Sequence, residues 1–229
     1  MADLIIYGLG DSVFARTAVL ACLEKGVPYE LRAVGTAGSD PASNPGAVFA
    51  ALKSPEYRKL HPFGRMPAMR HGDFTLFESV AIARYVDEVF DGPLLQPADL
   101  KERAVMNQWI SAINDYIVSD MVRRYIGEMI FGSEPDGLPD EEKLKAYRPR
   151  VRAHFELLDE QLAGRTYLAS DRPTIADLHL LPIAHTVGAL PGGIALVDKL
   201  PNLARWWEAM SSRDSFEASR PPMFEQEAA

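Results

Sequence analysis

HPFGRMPAMRHGDFTLFES, residues 61–79, decides the fold. Two short apolar runs, 67–70 and 74–77, flank the turn His71-Gly72-Asp73. Runs this short around a tight turn predict an antiparallel hairpin. Met66-Pro67 stands at the start of the first run, where a proline removes a donor that a strand ladder can spare. Glu78-Ser79 closes the stretch, and the apolar spacing after it predicts a helix over 79–89 with Ser79 at its N-cap.

Upstream, DLIIY at 3–7 reads as a buried strand and 13–25 as a helix stopped by Gly26. Residues 27–34 alternate like a second strand, which implies parallel pairing through a right-handed crossover. GTAGSDPASNPG at 35–46 is a loop by composition, and 48–60 holds an irregular helix. The first third therefore reads β-α-β-α-β-β-α. After the Pro- and Gly-rich FDGPLLQPAD, 90–99, no strand pattern recurs; helical patterns cover 99–130, 140–162, 174–188 and 201–211. The expected division is an α/β domain over 1–89, a linker at 90–98 and an all-α domain over 99–229.

The net charge of −8 disfavours nucleic acid or an anionic membrane as the main partner. The start of the chain lacks the basic and long apolar regions of a signal peptide. The uncharged run at 178–197 is interrupted by Pro182, Pro191 and Gly192-Gly193 and reads as a buried helix followed by a turn, not a span. A single cysteine, Cys22, permits no internal disulfide and fits a reducing, cytoplasmic setting. Within its helical pattern it reads as a buried apolar side chain.

Chemistry concentrates in the opening stretch. A cis proline at Pro67 would present the Met66 backbone N–H and C=O to an extended peptide, in the manner of an added strand. At the following helix start, free N–H groups beside Ser79 suit a carboxylate, and Glu78 suits an ammonium. A peptide edge beside an amino-acid pocket points to a small peptide ligand.

Those residues resemble the glutathione-binding region of glutathione S-transferases, most closely the Asn-Pro-Phe-Gly…Pro…Asp-Gly…Leu-Phe-Glu-Ser run of the phi class. YGLGDSVFARTAVLACLEKGVPYE at 7–30, DRPTIADLHLLP at 171–182 and LPNLARWWEAMSSRDSF at 200–216 extend the likeness over nearly the whole chain. The resemblance implies a thioredoxin-like N-terminal domain and an all-α C-terminal domain. It implies a cis peptide at Pro67, with Met66 pairing to the cysteinyl backbone of glutathione and Glu78 and Ser79 holding the γ-glutamyl end. Lys53 or Arg65 would meet the glycyl carboxylate. Arg65 stands where the family has Gln, and His61 where it has Asn. The 35–52 segment is longer than the class usually carries.

Ser12 occupies the position of the family's serine beside the glutathione sulfur. A free thiol titrates near ~8.5, and lowering that by about 2 units takes about 2.7 kcal/mol, within reach of a charge-assisted hydrogen bond and a helix N-terminus. Ser12 is thus expected to donate to a thiolate, not to act as a nucleophile; Tyr7 is the alternative donor. Phe14, Tyr116 and Met121, with Ile117 and Tyr125, are candidates for an apolar electrophile wall, or else core. Arg16, Asp177 and His179 are expected to be structural. The implied activity is conjugation of glutathione, as co-substrate and without a metal, to a hydrophobic electrophile by a homodimer. The alternatives are a non-catalytic glutathione-binding scaffold of the same fold and a glutathione-dependent peroxidase.

Overall fold

The structure is a computed structural model that describes residues 3–35, 45–221 and 223. It divides into two compact units, one of residues 1–95 with 214–229, the other of residues 96–213.

In the first unit, β1 (Leu4–Tyr7) leads into α1 (Val13–Lys25), which ends at Gly26 with φ 69°, a left-handed cap whose N–H reaches back to the Leu23 carbonyl. β2 (Glu30–Arg32) pairs parallel to β1. Only three of the eight residues expected to be extended are paired, because β2 is an edge strand and β1 offers it only Ile5 to Tyr7. The loop expected over 35–46 lies mostly outside the described residues. α2 (Pro45–Leu52) and α3 (Pro55–Arg58) replace the single irregular helix expected over 48–60. The break is chemical: Ser54 Oγ accepts from Tyr57 N–H at 3.2 Å and Pro55 occupies the first turn, so a new helix starts there.

β3 (Ala68–His71) and β4 (Phe74–Phe77) form the expected antiparallel hairpin, and α4 (Ser79–Val89) follows. β3 also pairs antiparallel to β1, so the sheet order is β2-β1-β3-β4. Strand alternation divides its side chains between two faces. Tyr7 and Ala68 face a cluster with Val34, Val48, Leu52 and Tyr57. Ile6 and Met69, one residue out of step, are fully buried on the other face, where α1 packs on α4. The Lys25 ammonium and Asp87 carboxylate pair at 3.1 Å in near-complete burial, and Asp87 also accepts from Leu95 N–H at 2.9 Å. This clamps the end of α1 to α4 and to the segment leaving the unit.

α11 (Asp214–Ala218) belongs to this first unit, which corrects the expectation that 99–229 is one helical domain. The cause is Arg16. Its guanidinium, buried in α1, donates through Nε to the Ser219 carbonyl at 2.7 Å and lies 5.8 Å from the Phe216 ring. Burial lowers its pKa to about 10 against the opposing pull of Asp11. Arg16 is therefore a structural tie.

The second unit contains α5 (Leu100–Ala112), a π-helical segment (Ile113–Ile126) and α6 (Gly127–Phe131) as one continuous run. α7 (Glu141–Gln161), α8 (Ile175–Ala189), α9 (Ile194–Val197) and α10 (Pro201–Ser211) complete it. α8 is buried on nearly all sides, as its uncharged sequence predicts, and no described helix is long and apolar enough to cross a membrane. Asp177 organises its start. Oδ2 accepts from the Thr174 N–H and hydroxyl, and Oδ1 accepts from Leu168 N–H and from the Trp206 indole at 2.9 Å. His179 is fully buried, its Nε2 3.1 Å from Asn114 Oδ1, and burial lowers its pKa to about 4.

Candidate functional site

The proposed glutathione residues all lie in the first unit. Ser12 is the N-cap of α1. Its Oγ accepts from Ala15 N–H at 3.3 Å, which occupies a lone pair and leaves the hydroxyl proton available to an acceptor. Its own N–H donates to the Leu9 carbonyl at 3.1 Å, so the turn after β1 aims it. Tyr7, the alternative donor, ends β1 with its ring 5.6 Å from the Arg32 guanidinium, toward edge strand β2.

The Met66–Pro67 peptide is cis, and the β3 ladder begins after it, at Ala68. Gly8 brings this peptide up to the first helix. A Cβ there would lie 2.7 Å from Ala15 Cβ and 3.9 Å from Pro67 Cβ. Only the missing side chain lets β1 end between Pro67 and the first turn of α1, which joins the Ser12 end to the Met66 end. Gly64 does the same on the other side. At φ 60°, its Cβ would stand 2.7 Å from the Leu52 carbonyl, so the 61–66 loop rests on the end of α2, next to Lys53. Tyr57 O–H then fixes the loop by donating to the Arg65 carbonyl at 2.8 Å. The Lys53 and Arg65 side chains are both exposed.

The hairpin delivers Glu78 and Ser79 to the start of α4. Ser79 is the first helical residue and is buried; the N-cap position belongs to Glu78, which makes no side-chain capping bond. This corrects the capping role expected of Ser79. Glu78 is exposed and takes φ 73°, ψ 121°, a backbone region that favours glycine. A carboxylate side chain kept there at a cost of about 1–3 kcal/mol marks a position held for its chemistry.

His61, assigned no role from the sequence, lies between these groups. It is buried, with its ring 4.9 Å from Phe77. Burial lowers its pKa; Glu78 pulls it back up and Arg65 pushes it further down. Both residues thus act on one imidazole, which places the acid for the ammonium end and the base for the carboxylate end around it. Gly8, Gly64 and His61 all stand in the quoted motifs, but their contacts are with residues distant in sequence.

The remaining candidates separate. Phe14 is half-buried in α1. In the helical unit, Tyr116 is 65% exposed, whereas Met121 is wholly buried. The π-helical turn explains the difference: Ile113, Ile117, Met121 and Tyr125, four residues apart, form one inward row. Met121 is therefore packing, not ligand wall. Cys22 is fully buried, which pushes its thiol up to about 12 and makes it unreactive.

Comparison with known proteins follows this geometry. The family profile "Glutathione S-transferase, N-terminal domain" matches residues 11–89, and "Glutathione S-transferase, C-terminal domain" matches residues 116–214. Glutathione S-transferase 4 of Zea mays is 31% identical over 91% of this chain and 87% of its own. A poplar glutathione transferase F1 with a serine replaced by cysteine superposes with a TM-score of 0.82 at 25% identity, covering 98% of this chain and 99% of its own. Glutathione S-transferase-I, solved with lactoylglutathione bound, gives a TM-score of 0.77 at 25% identity over 94% of this chain and 97% of its own. With a sheet unit built around a cis Met66–Pro67 peptide and relatives that span almost its full length, the chain belongs to the glutathione S-transferase family.

Proposed function

We propose that the protein is a serine-type glutathione transferase in which Ser12 holds the glutathione sulfur as thiolate. The observation that carries this is the Ser12 hydroxyl: it caps α1 with a lone pair and keeps its proton, at a helix N-terminus that Gly8 brings up to Pro67. Met66 offers its backbone to the cysteinyl residue, while Glu78 and Ser79 take the γ-glutamyl end. Lys53 and Arg65 meet the glycyl carboxylate. The bound thiol loses its proton to solvent. The sulfur then attacks an electrophilic carbon; a C–S bond forms and the leaving group departs with its electron pair. Ser12 donates throughout and forms no covalent intermediate. Phe14 and Tyr116 are the retained candidates for contact with the electrophile.

The relative that carries lactoylglutathione supports glutathione as co-substrate. A homodimer is part of the same reading, supported by the Phe63 ring, 72% exposed beside His61 and Phe77; light scattering after gel filtration checks it. A cytoplasmic location fits the lone buried thiol of Cys22.

The deciding experiment titrates ultraviolet thiolate absorbance of glutathione bound to the wild-type protein, alongside conjugation to chlorodinitrobenzene and reduction of cumene hydroperoxide. A depressed thiol pKa with conjugation supports the proposal. Binding with an unshifted pKa replaces it with the scaffold reading, and hydroperoxide reduction without conjugation replaces it with the peroxidase reading.

A further inference from the structure

The helical unit contains a cavity of about 370 Å³, formed by α7, α8, α9 and α10. Its lining includes Phe155, His185, Gly188, Ile194, Trp206 and Trp207, and it has no carboxylate, ammonium or guanidinium. All of its lining residues belong to residues 96–213, whereas Ser12, Met66 and Glu78 belong to the other unit.

Empty apolar space in a protein is costly, because interiors pack like molecular crystals. Here it sits in front of a glycine. Gly188 lies inside α8, where glycine costs about 1 kcal/mol relative to alanine. No backbone need explains it: its φ is not positive, and a Cβ there would meet nothing within 4 Å. Gly193, in the turn after α8, contrasts sharply. A Cβ there would lie 1.7 Å from the Val187 carbonyl, so that glycine is required for the turn to close. The sequence thus accepts both a helix penalty and a void at Gly188 without a structural return.

The walls are rigid and flat. The Trp206 indole N–H is held by buried Asp177, which fixes that ring and spends its donor. The rings of His185 and Trp207 lie within 20° of parallel, with centroids 5.9 Å apart. We propose that this cavity binds an uncharged, planar aromatic small molecule, seated by stacking and dispersion at a place separate from the thiol chemistry. A volume near the lower end of the range for ligand pockets, about 300–1,000 Å³, suits a ligand of two or three fused or linked rings. The absence of a charged wall excludes an organic anion or cation as the preferred ligand.

The test uses N-phenylnaphthylamine, an uncharged aromatic amine, read by its own emission and by energy transfer from tryptophan. The wild-type protein is expected to bind it saturably, and saturating S-hexylglutathione is expected to leave that binding in place. Gly188→Phe fills the open space and weakens binding by about tenfold or more, whereas Gly188→Ala leaves it within about threefold. Ala204→Phe, entering from exposed α10, reads the same loss should Gly188→Phe fail to fold. Conjugating activity is unchanged in all folded variants. Absence of saturable binding, displacement by S-hexylglutathione, or undiminished binding in a folded Phe variant each overturns the proposal.

Discussion

Replacing Ser12 by alanine removes two interactions whose consequences separate by pH. The capping bond to Ala15 N–H is long, 3.3 Å, so its loss is expected to cost about 0.5–1 kcal/mol of stability. The bond donated to the sulfur involves a charge and is worth about 1.5–3 kcal/mol, or about one to two pKa units of the bound thiol. The helix terminus contributes about 0.3–1 kcal/mol and survives the substitution. Taking a bound thiol near ~6.5 in the wild type and ~8 in Ser12→Ala, the thiolate fraction at pH 6.5 falls by about fifteenfold. Near pH 9 the two are equal within about twofold, because both thiols are then ionised. The assay is kcat/KM for glutathione across this range, beside the ultraviolet titration of bound thiol. Ser12→Asp sharpens it: the carboxylate caps α1 at least as well, yet offers no proton and repels a thiolate. It is expected to match the wild type in stability and fall below alanine in activity. A bound thiol that titrates identically in wild type and Ser12→Ala would refute the reasoning, as would a deficit of equal size at every pH.

Glu78→Ala and Glu78→Gly should weaken glutathione alike, by about ten- to a hundredfold, since each removes the carboxylate; denaturant melts should find the glycine variant more stable by about 1–2 kcal/mol, because φ 73° is strained only with a side chain. In Gly8→Ala, the new methyl meets Ala15 Cβ at 2.7 Å and must push α1 off the sheet. A loss of about 1–3 kcal/mol in urea unfolding, with a raised KM for glutathione, is expected. Asp87→Ala leaves the Lys25 ammonium buried without its carboxylate and should cost about 3–5 kcal/mol, much of it recovered in Lys25→Met/Asp87→Leu. His179 is neutral when folded and titrates near about 4, against about 6.5 when unfolded. Its contribution is therefore intact above pH 6.5 and lost as pH falls toward 4, by roughly 3 kcal/mol in all. Denaturation midpoints of His179→Gln should vary less than wild type across that window; an unchanged slope would show that another group carries it.

The order of strands and helices was legible because its signals are local. α1 runs from Val13 to Lys25 and α4 from Ser79 to Val89, as apolar spacing and Gly26 indicated. The hairpin followed from two short runs around His71-Gly72-Asp73. The split of α2 from α3 was also written in the chain, in Ser54-Pro55, although apolar spacing alone ran across it. The π-helical stretch was not legible. A reading at 3.6 residues per turn cannot register wider turns, so it could not separate exposed Tyr116 from buried Met121.

By itself, the sequence determined the β-α-β-α-β-β-α order, the helical second half, and the motifs holding Ser12, Met66-Pro67 and Glu78-Ser79, because propensity, capping and turn chemistry act over a few residues. Tertiary structure alone decided what those motifs meet. Gly8 has meaning only against Ala15 and Pro67, Gly64 only against Leu52, and Arg16 only against Ser219, which draws α11 into the first unit. The cavity before Gly188 exists only where four helices fail to fill the space between them. Contacts between residues far apart in the chain depend on packing, and packing is a property of the folded whole.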